Sequence, residues 1–238
     1  MNAGRRSRHG VVAFVASTVF ALVAPPAAAQ VWIGGGTAPR AGSVELSGGV
    51  LWAQGYDLDT TPALLTRNPT TGSSPLELFD ASASVDAAPG LHARLGVYLS
   101  RSVSVEGGLE YSRPVLGVRV SGDFEGAGAT AATETISRYV FNGSVVVHLP
   151  GLSFAGGRGV PFVTGGGGYV RELHEGNELV DTGQQIHAGG GVKFWFGNRR
   201  RRFGFRGDVG VAVREGASDF SDGWRTVPTV GASMMYLF

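Results

Sequence analysis

Charged side chains that could do chemistry recur at alternate positions within glycine-rich segments of the chain. Eight of them share one face if those segments are β-strands, four of each sign: Glu45, Arg94, Glu106, Glu110, Arg138, Lys193, Arg206 and Asp208. Three histidines have the same parity: His92, His148 and His187. Carboxylates beside histidines can act as general acid and base, whereas disrupting a buried ion pair costs about 3–5 kcal/mol. Because the two signs balance, we expect a structural salt-bridge network.

The sequence motifs of several catalytic and metal sites are absent. The chain has no cysteine, which excludes disulfides and thiol nucleophiles. It also lacks a His-x-Ser pair, a G-x-S-x-G elbow and an H-E-x-x-H motif. We therefore predict no catalytic residue, no cofactor and no metal site. His174 and Glu175, with Glu172 and Glu178 nearby, could in principle hold a cation, but we interpret this group as a solvated acidic loop.

The elements that position these side chains have a hydropathy period of two. Apolar residues alternate with small or charged residues, a pattern typical of strands whose two faces differ. Eight segments show it: Val44–Tyr56, Leu91–Leu99, Val103–Tyr111, Arg138–His148, Val160–His174, Gln185–Phe196, Phe203–Val213 and Val230–Phe238. Each has the roughly 9–11 residues that a tilted strand needs to cross a bilayer, and single-chain bacterial barrels have an even number of strands.

Glycine accounts for 39 of the 238 residues, and runs such as Gly165–Gly168 and Gly189–Gly191 lie inside the predicted strands. Glycine relieves crowding in a narrow, strongly bent sheet. Neither run matches the phosphate-binding P-loop pattern. Asn142-Gly143 is a common hairpin dipeptide, but the alternation continues across it, so we predict one continuous strand there.

The N-terminus has the three regions of a secretory signal peptide. Arg5, Arg6 and Arg8 precede an apolar stretch at 11–24, which small residues follow as far as Ala29. Residues 1–29 are therefore predicted to be a cleaved signal peptide and 30–43 a periplasmic lead segment. No later stretch is long and apolar enough for a spanning helix. An exported chain that enters lipid without such a helix must do so as a closed barrel.

The last strand carries the most specific pattern. Phe238 ends the chain, and Tyr236, Met234, Ala232 and Val230 precede it at alternate positions. This terminal strand resembles the C-terminal signal of bacterial outer-membrane β-barrels, and the chain from residue 30 to 238 resembles the small OmpA-like or opacity-porin-like barrels. The resemblance implies an all-β, eight-stranded antiparallel up-and-down transmembrane barrel over 44–238. It also implies that the barrel-assembly machinery recognises Met234, Tyr236 and Phe238.

The connections between predicted strands separate by charge. Three short ones contain arginine and no acid, at 100–102, 149–159 and 197–202. The alternate connections, at 57–88, 122–134, 172–182 and 215–225, contain 15 of the 19 acidic residues. Short turns face the periplasm in small outer-membrane barrels, so the acidic end is predicted to lie outside the cell. The first long connection contains Pro62, Pro69 and Pro75 and is predicted to be mobile.

These observations predict a non-enzymatic integral protein of the Gram-negative outer membrane with a role in envelope integrity or surface interaction. An eight-stranded lumen is just wide enough for side chains to fill, so we expect it to be plugged. The expected partners are outer-membrane lipid, lipopolysaccharide and an extracellular molecule at the acidic loops, and no nucleic acid. Three alternatives remain open: a narrow channel for small solutes, a lipid-modifying enzyme, and a soluble lipocalin-like periplasmic binding barrel.

Overall fold

The computed structural model describes residues 39–65, 76–174, 179–196, 202–215 and 224–238. The predicted signal peptide, most of the lead segment and the arginine run at 199–201 lie outside these ranges. The described ranges contain twelve strands: β1 (Val44–Ala53), β2 (Tyr56–Leu65), β3 (Leu76–Val85), β4 (Ala88–Tyr98), β5 (Val103–Ser112), β6 (Val115–Ser121), β7 (Thr130–Thr135), β8 (Ser137–His148), β9 (Gly159–Leu173), β10 (Val180–Trp195), β11 (Phe203–Glu215) and β12 (Trp224–Leu237). No helix in this part of the chain is long and apolar enough to cross a membrane.

Eight of the strands form a closed antiparallel barrel in the order β1-β12-β11-β10-β9-β8-β5-β4. The first strand closes the sheet, because Val50 lies opposite Ala232 of β12 on one side and Leu91 of β4 on the other. Closure pairs the backbone groups that an open sheet leaves free at its edges. The predicted fold class and all eight predicted strands are thus confirmed. Asn142 and Gly143 lie within β8, opposite Gly168 and Gly167 of β9, so the strand is continuous there.

The two faces of the barrel wall differ as the sequence period predicts. Apolar side chains on the outer face are largely exposed, for example Leu91 at 60%, Val145 at 45% and Val209 at 61%. Their neighbours on the inner face are buried, and Lys193 is 1% exposed. Successive strand residues point to opposite faces, so this contrast follows directly from the alternation in the sequence.

Glycines on the inner face allow the strands to approach closely across the narrow barrel. A Cβ atom on Gly191 would collide with the carbonyl oxygen of Gly207, and one on Gly166 with the carbonyl oxygen of Gly143. Both obstacles are backbone atoms, which cannot move aside as a flexible side chain could. The excess of glycine in the strands therefore has a steric cause.

The four remaining strands form a second sheet in the order β2-β3-β6-β7. Its two hairpins are the long connections between β1 and β4 and between β5 and β8. A buried apolar cluster joins them: Leu58, Ala83, Val85, Leu116 and Ile136. The described part of the first connection forms strands, with Pro62 in β2 opposite Asp80, and its mobility stays a prediction; Pro69 and Pro75 lie outside the described residues. The pairing of β3 with β6 joins the two hairpins into one sheet. The sequence of either hairpin by itself does not indicate this pairing.

The short connections lie together at the other end of the barrel. Between β4 and β5, the Ser100 hydroxyl accepts hydrogen bonds from the backbone N–H groups of Ser102 and Val103, at 3.2 and 3.1 Å. Between β8 and β9, Gly156 and Gly157 take φ values of 68° and 76°, which close a tight turn. The terminal segment reaches the same end, where the backbone N–H of Phe238 bonds to the carbonyl of Val44.

Candidate functional site: the charged lumen

Six inward-facing residues form a continuous chain of ion pairs, which we call the inner network: Glu45, Arg94, Glu106, Lys193, Arg206 and Asp208. The Lys193 Nζ donates to Glu45 Oε1 at 2.8 Å and to Glu106 Oε1 at 3.1 Å. These three side chains come from β10, β1 and β5, which closure of the barrel brings together. Lys193 therefore links strands that lie on different sides of the lumen.

Arg206 on β11 continues the inner network. Its Nη1 donates to Glu106 Oε2 at 2.7 Å, and its Nε donates to Asp208 Oδ1 at 2.9 Å. The same Asp208 oxygen accepts from Arg94 Nη1 at 3.2 Å. Glu106 thus bonds two cations through separate oxygens, whereas Asp208 bonds two cations through the same oxygen.

Aromatic rings enclose the inner network. The Tyr98 hydroxyl donates to Glu45 Oε2 at 2.8 Å, and its ring stacks on His148 with the centroids 5.0 Å apart. The guanidinium of Arg206 lies 4.5 Å from the Phe162 ring centroid, within cation–π range. Next to the short connections, Tyr98, Trp195, Met235 and Leu237 form a buried apolar cluster. The ion pairs of the inner network and a buried apolar cluster thus lie at the same end of the lumen.

A second group of charges lies at the opposite end, and we call Tyr56, Arg138 and Glu172 the outer-end cluster. Arg138 Nε donates to Glu172 Oε1 at 2.5 Å, and its Nη2 donates to the Tyr56 hydroxyl at 2.9 Å. The sequence reasoning placed Glu172 in an acidic loop and missed its role here. Its position two residues after the buried Val170 on β9 is the signal that could have placed it inside.

Glu110 is the predicted lumen residue that takes a different partner. Its Oε1 accepts a hydrogen bond from the Asn142 side-chain amide at 3.0 Å, and it joins no described ion pair. The other seven predicted charges all lie in ion pairs within the described structure. Arg214, which the sequence reasoning overlooked because it follows the predicted end of its strand, is buried at the outer end beside Gln185.

The three lumen histidines contact hydroxyl or guanidinium groups. The His148 Nε2 lies 3.1 Å from the Ser104 hydroxyl, and His187 Nε2 lies 2.9 Å from the Ser144 hydroxyl. The third, His92, has Nε2 3.2 Å from Arg94 Nη1. A serine–histidine pair can act as nucleophile and base when a third group orients the histidine. The other ring nitrogen of His187 has no partner, and Ser104 is fully buried, so neither pair has the arrangement of a triad.

His174, beyond the end of β9, joins two other segments. Its Nδ1 lies 3.1 Å from Glu134 Oε2 on β7, and its Nε2 lies 3.1 Å from Asp181 Oδ2 on β10. Burial alone would lower the pKa of His174, but the hydrogen bonds that its ring donates to both carboxylates outweigh burial and raise the pKa above its usual value. Each ring nitrogen faces an acceptor, so the imidazolium form with two N–H donors satisfies both contacts.

This arrangement differs from the cation site considered for the same segment. The carboxylate of Glu172 is engaged by Arg138, and Glu175 and Glu178 lie outside the described residues. Among the residues that the structure describes, no group of three His, Asp or Glu side chains has an arrangement that could hold a metal ion. The described part of the loop is therefore held by hydrogen bonds to His174.

Two small cavities adjoin these groups. One, of about 70 Å³, lies inside the barrel and is lined by polar groups that include Arg94, Glu110, His187 and Arg214. The other, of about 30 Å³, lies between the outer-end cluster and the apolar cluster of the second sheet, and Arg214 lines it too.

The predicted assembly signal lies on the outer wall near the short connections. Met234 is 57% exposed and Phe238 is 66% exposed. The Tyr236 ring packs edge-on against Phe203 and Phe238, with centroids 4.9 and 4.7 Å away. An outward aromatic cluster at one rim is typical of the girdles that flank the apolar band of membrane barrels.

Comparison with known proteins identifies the fold. No protein-family model and no curated protein sequence matches the chain. The crystal structure of the outer membrane protein OprG from Pseudomonas aeruginosa aligns at a TM-score of 0.50 and 14% identity, over 84% of this chain and 97% of that one. Ail, the attachment invasion locus protein of Yersinia pestis, aligns at 0.42 and 13%, over 83% and 99%. The N-terminal barrel domain of Pseudomonas aeruginosa OprF aligns at 0.39 and 11%, over 83% and 98%.

The OprG alignment extends over nearly the whole of that protein. In this chain the closed barrel consists of β1, β4, β5 and β8–β12, which is the number of strands expected from the sequence. At 14% identity the likeness concerns the fold and carries no information about activity. The resemblance inferred from the strand pattern is confirmed at this level: the chain has the fold of the small eight-stranded outer-membrane barrels.

Proposed function

We propose that this protein is an integral outer-membrane barrel without enzymatic activity, whose lumen is closed and whose second sheet forms a surface outside the cell. One observation carries the proposal: the barrel wall is apolar outside and ion-paired inside. Exposed apolar side chains such as Leu91, Val50 and Val209 surround the wall. This surface would be unfavourable in water and is favourable against acyl chains.

The same observation argues against a soluble, lipocalin-like barrel. Such a barrel directs its apolar face inward around a ligand, whereas here the inward residues include Lys193, Arg206 and Glu106. The fully paired backbone of the closed sheet also meets the requirement of a hydrocarbon environment, where unpaired N–H and C=O groups cost several kcal/mol each.

Closure of the lumen is supported by the inner network and by the apolar cluster beside it. Lys193, Trp195 and Met235 are each at most 2% exposed, which supports a lumen without a wide aqueous path. Filling of the lumen by side chains is the usual state of an eight-stranded barrel. The role that remains is structural support of the envelope or contact with other molecules at the outer surface.

The partners that we propose follow from this placement. Lipid and lipopolysaccharide would surround the outer wall, and the barrel-assembly machinery would recognise the strand that ends in Met234, Tyr236 and Phe238. The second sheet and the acidic connections would meet an extracellular molecule. Cleavage after Ala29 would precede assembly.

The experiment that tests the membrane assignment is fractionation of cells that express the full chain, combined with gels of boiled and unboiled samples. We expect recovery with outer membranes and a change of mobility on boiling, because a folded barrel binds less detergent than its unfolded chain. A periplasmic maltose-binding protein and a known outer-membrane barrel serve as markers. Recovery with the soluble marker would overturn the proposal.

A narrow channel is the second candidate, and the polar 70 Å³ cavity is the observation that favours it. Planar-bilayer recording of the refolded protein separates the two roles. A closed lumen predicts no reproducible conductance steps in the wild-type protein. Regular steps of one size that persist after repeated purification would establish the channel and refute the closed lumen.

A further inference from the structure

The lumen cations differ in how they are neutralised. Lys193 and Arg206 contact two carboxylates each, while Arg94 and Arg138 contact one each. Arg214 is also buried, at 6% exposure, but it forms no ion pair with any residue that the structure describes. Its Nε donates to the neutral Gln185 Oε1 at 2.9 Å, and its Nη1 has no hydrogen-bond partner.

A buried guanidinium with this surrounding is energetically unfavourable. An uncompensated buried charge costs several kcal/mol, and an unmade hydrogen bond adds to that. Glu110 and Glu172 attract Arg214 electrostatically without a hydrogen bond to it, and both already have donors: Glu110 accepts from Asn142, and Glu172 accepts from Arg138. The Nη1 of Arg214 therefore has no acceptor among the residues that the structure describes.

Arg214 lies between two cavities that differ in character. Towards the second sheet, the 30 Å³ cavity has the apolar Leu58, Leu116 and Ile136 in its wall, together with Glu172 and Glu215. Towards the lumen, the 70 Å³ cavity is lined by polar groups such as Gln185 and by charges of both signs, three arginines and three carboxylates: Arg94, Arg206, Arg214, Glu106, Glu110 and Asp208. A cavity needs about 10–15 Å³ to hold one water, so the smaller space admits a short alkyl group and the larger one a carboxylate.

The geometry points to a binding site for a small monocarboxylate, of the size of acetate or propionate, whose anionic group pairs with Arg214. A guanidinium recognises a planar carboxylate with parallel hydrogen bonds. The apolar residues of the second sheet would contact the alkyl group of the ligand. The proposed site does not depend on whether the lumen conducts. It lies at the outer end because the cations of the inner network are already paired with carboxylates.

The test measures binding of acetate to the full barrel, refolded in detergent micelles, by saturation-transfer NMR at constant ionic strength. The wild-type protein should bind saturably, and Arg214→Gln should bind at least tenfold more weakly. Arg214→Lys should be intermediate, because a lysine keeps the charge without the planar fork. Arg119→Gln, which removes an equal charge from an exposed position on β6, should bind as wild type.

A second variant keeps the proposal testable if Arg214→Gln fails to fold. Gln185→Glu places a carboxylate where Arg214 already has a hydrogen-bond partner, so it should abolish acetate binding while the heat-dependent gel shift persists. Unsaturable binding by the wild type, or unchanged binding in either Arg214→Gln or Gln185→Glu, would overturn the site. Equal competition by chloride would overturn the carboxylate as its ligand, because chloride has neither a planar group nor an alkyl tail.

Discussion

Buried charges are neutralised in different ways at the two ends of the lumen. In the inner network, Lys193, Arg206 and Glu106 come from barrel strands, and each bonds to two groups of opposite charge. At the outer end, Arg138 has a single carboxylate, and its other bond is to Tyr56 of β2. At the inner end the charges are neutralised by ion pairs between barrel strands, whereas at the outer end Arg138 also relies on Tyr56 of the second sheet.

Because of this difference, we expect the two ends of the barrel to have different roles. The inner network connects strands that are distant in sequence, such as β1 and β10, and its strength is part of the stability of the barrel itself. Arg214 and His174 at the outer end take partners that can be lost or exchanged, because Arg214 has an unfilled donor and His174 depends on its proton. Responses to ligand or pH are therefore expected at the outer end.

The largest expected effect comes from removing the Glu106 carboxylate, which bonds the buried Lys193 and Arg206. Glu106→Gln leaves Lys193 and Arg206 each with one fewer anionic partner and should lower the free energy of unfolding by about 3–5 kcal/mol. Urea unfolding in lipid vesicles, followed by tryptophan fluorescence, measures this. Glu77→Gln, at an exposed position of β3, is the matched control and should change little.

The corresponding change at the outer end is Glu172→Gln, which tests whether the two ends differ in their contribution to stability. In Glu172→Gln the amide oxygen can still accept from Arg138 Nε, and Arg138 keeps its bond to Tyr56, so a loss of about 1.5–3 kcal/mol is expected. In Glu106→Gln, by contrast, a single amide oxygen cannot serve both Lys193 and Arg206. A loss in Glu172→Gln equal to or greater than that in Glu106→Gln would contradict the contrast between the two ends.

The next largest effect concerns the space around the inner network. Gly191→Ala would place a methyl group against the carbonyl oxygen of Gly207, and overpacking of this kind costs about 1–3 kcal/mol. Gly143→Ala is the control on the barrel, because a Cβ there meets nothing within 4 Å. The same unfolding assay compares the two variants, and equal midpoints would show that the close approach of strands at Gly191 is unimportant.

The smallest effect is a pH dependence at the outer end. The folded pKa of His174 is raised, so its contribution to stability is complete below the unfolded value, about 6.5, and disappears as the pH rises through the folded value. Hydrogen exchange of the β7 amides should accordingly quicken from pH 6 to pH 9 by more than it does in strands that His174 does not contact. This additional increase should vanish in His174→Gln. It should remain in His187→Gln, because His187 contacts no carboxylate. A pH profile in His174→Gln identical to wild type would refute the assignment.

The local alternation of residue types was sufficient to predict the barrel strands and most of the lumen charges. Tyr98 and Leu99, or Lys193 and Phe194, differ in character at adjacent positions, and a strand must direct such neighbours to opposite faces. Parity therefore placed Glu45, Glu106, Lys193 and Arg206 on the inner face before any contact between them was known. The signal peptide and the assembly role of Phe238 stay predictions.

Tertiary structure alone decided which charges pair and what the long connections do. Parity places a side chain on a face, but the partner depends on how far each strand is shifted against its neighbours, which only closure of the sheet specifies. That shift brought Glu172 to Arg138 and gave Glu110 an amide in place of a cation. It also left Arg214 without an ion pair among the described residues. The second sheet exists because β3 and β6, from separate hairpins, pair with each other and bury a shared apolar cluster, a long-range contact that neither segment encodes by itself.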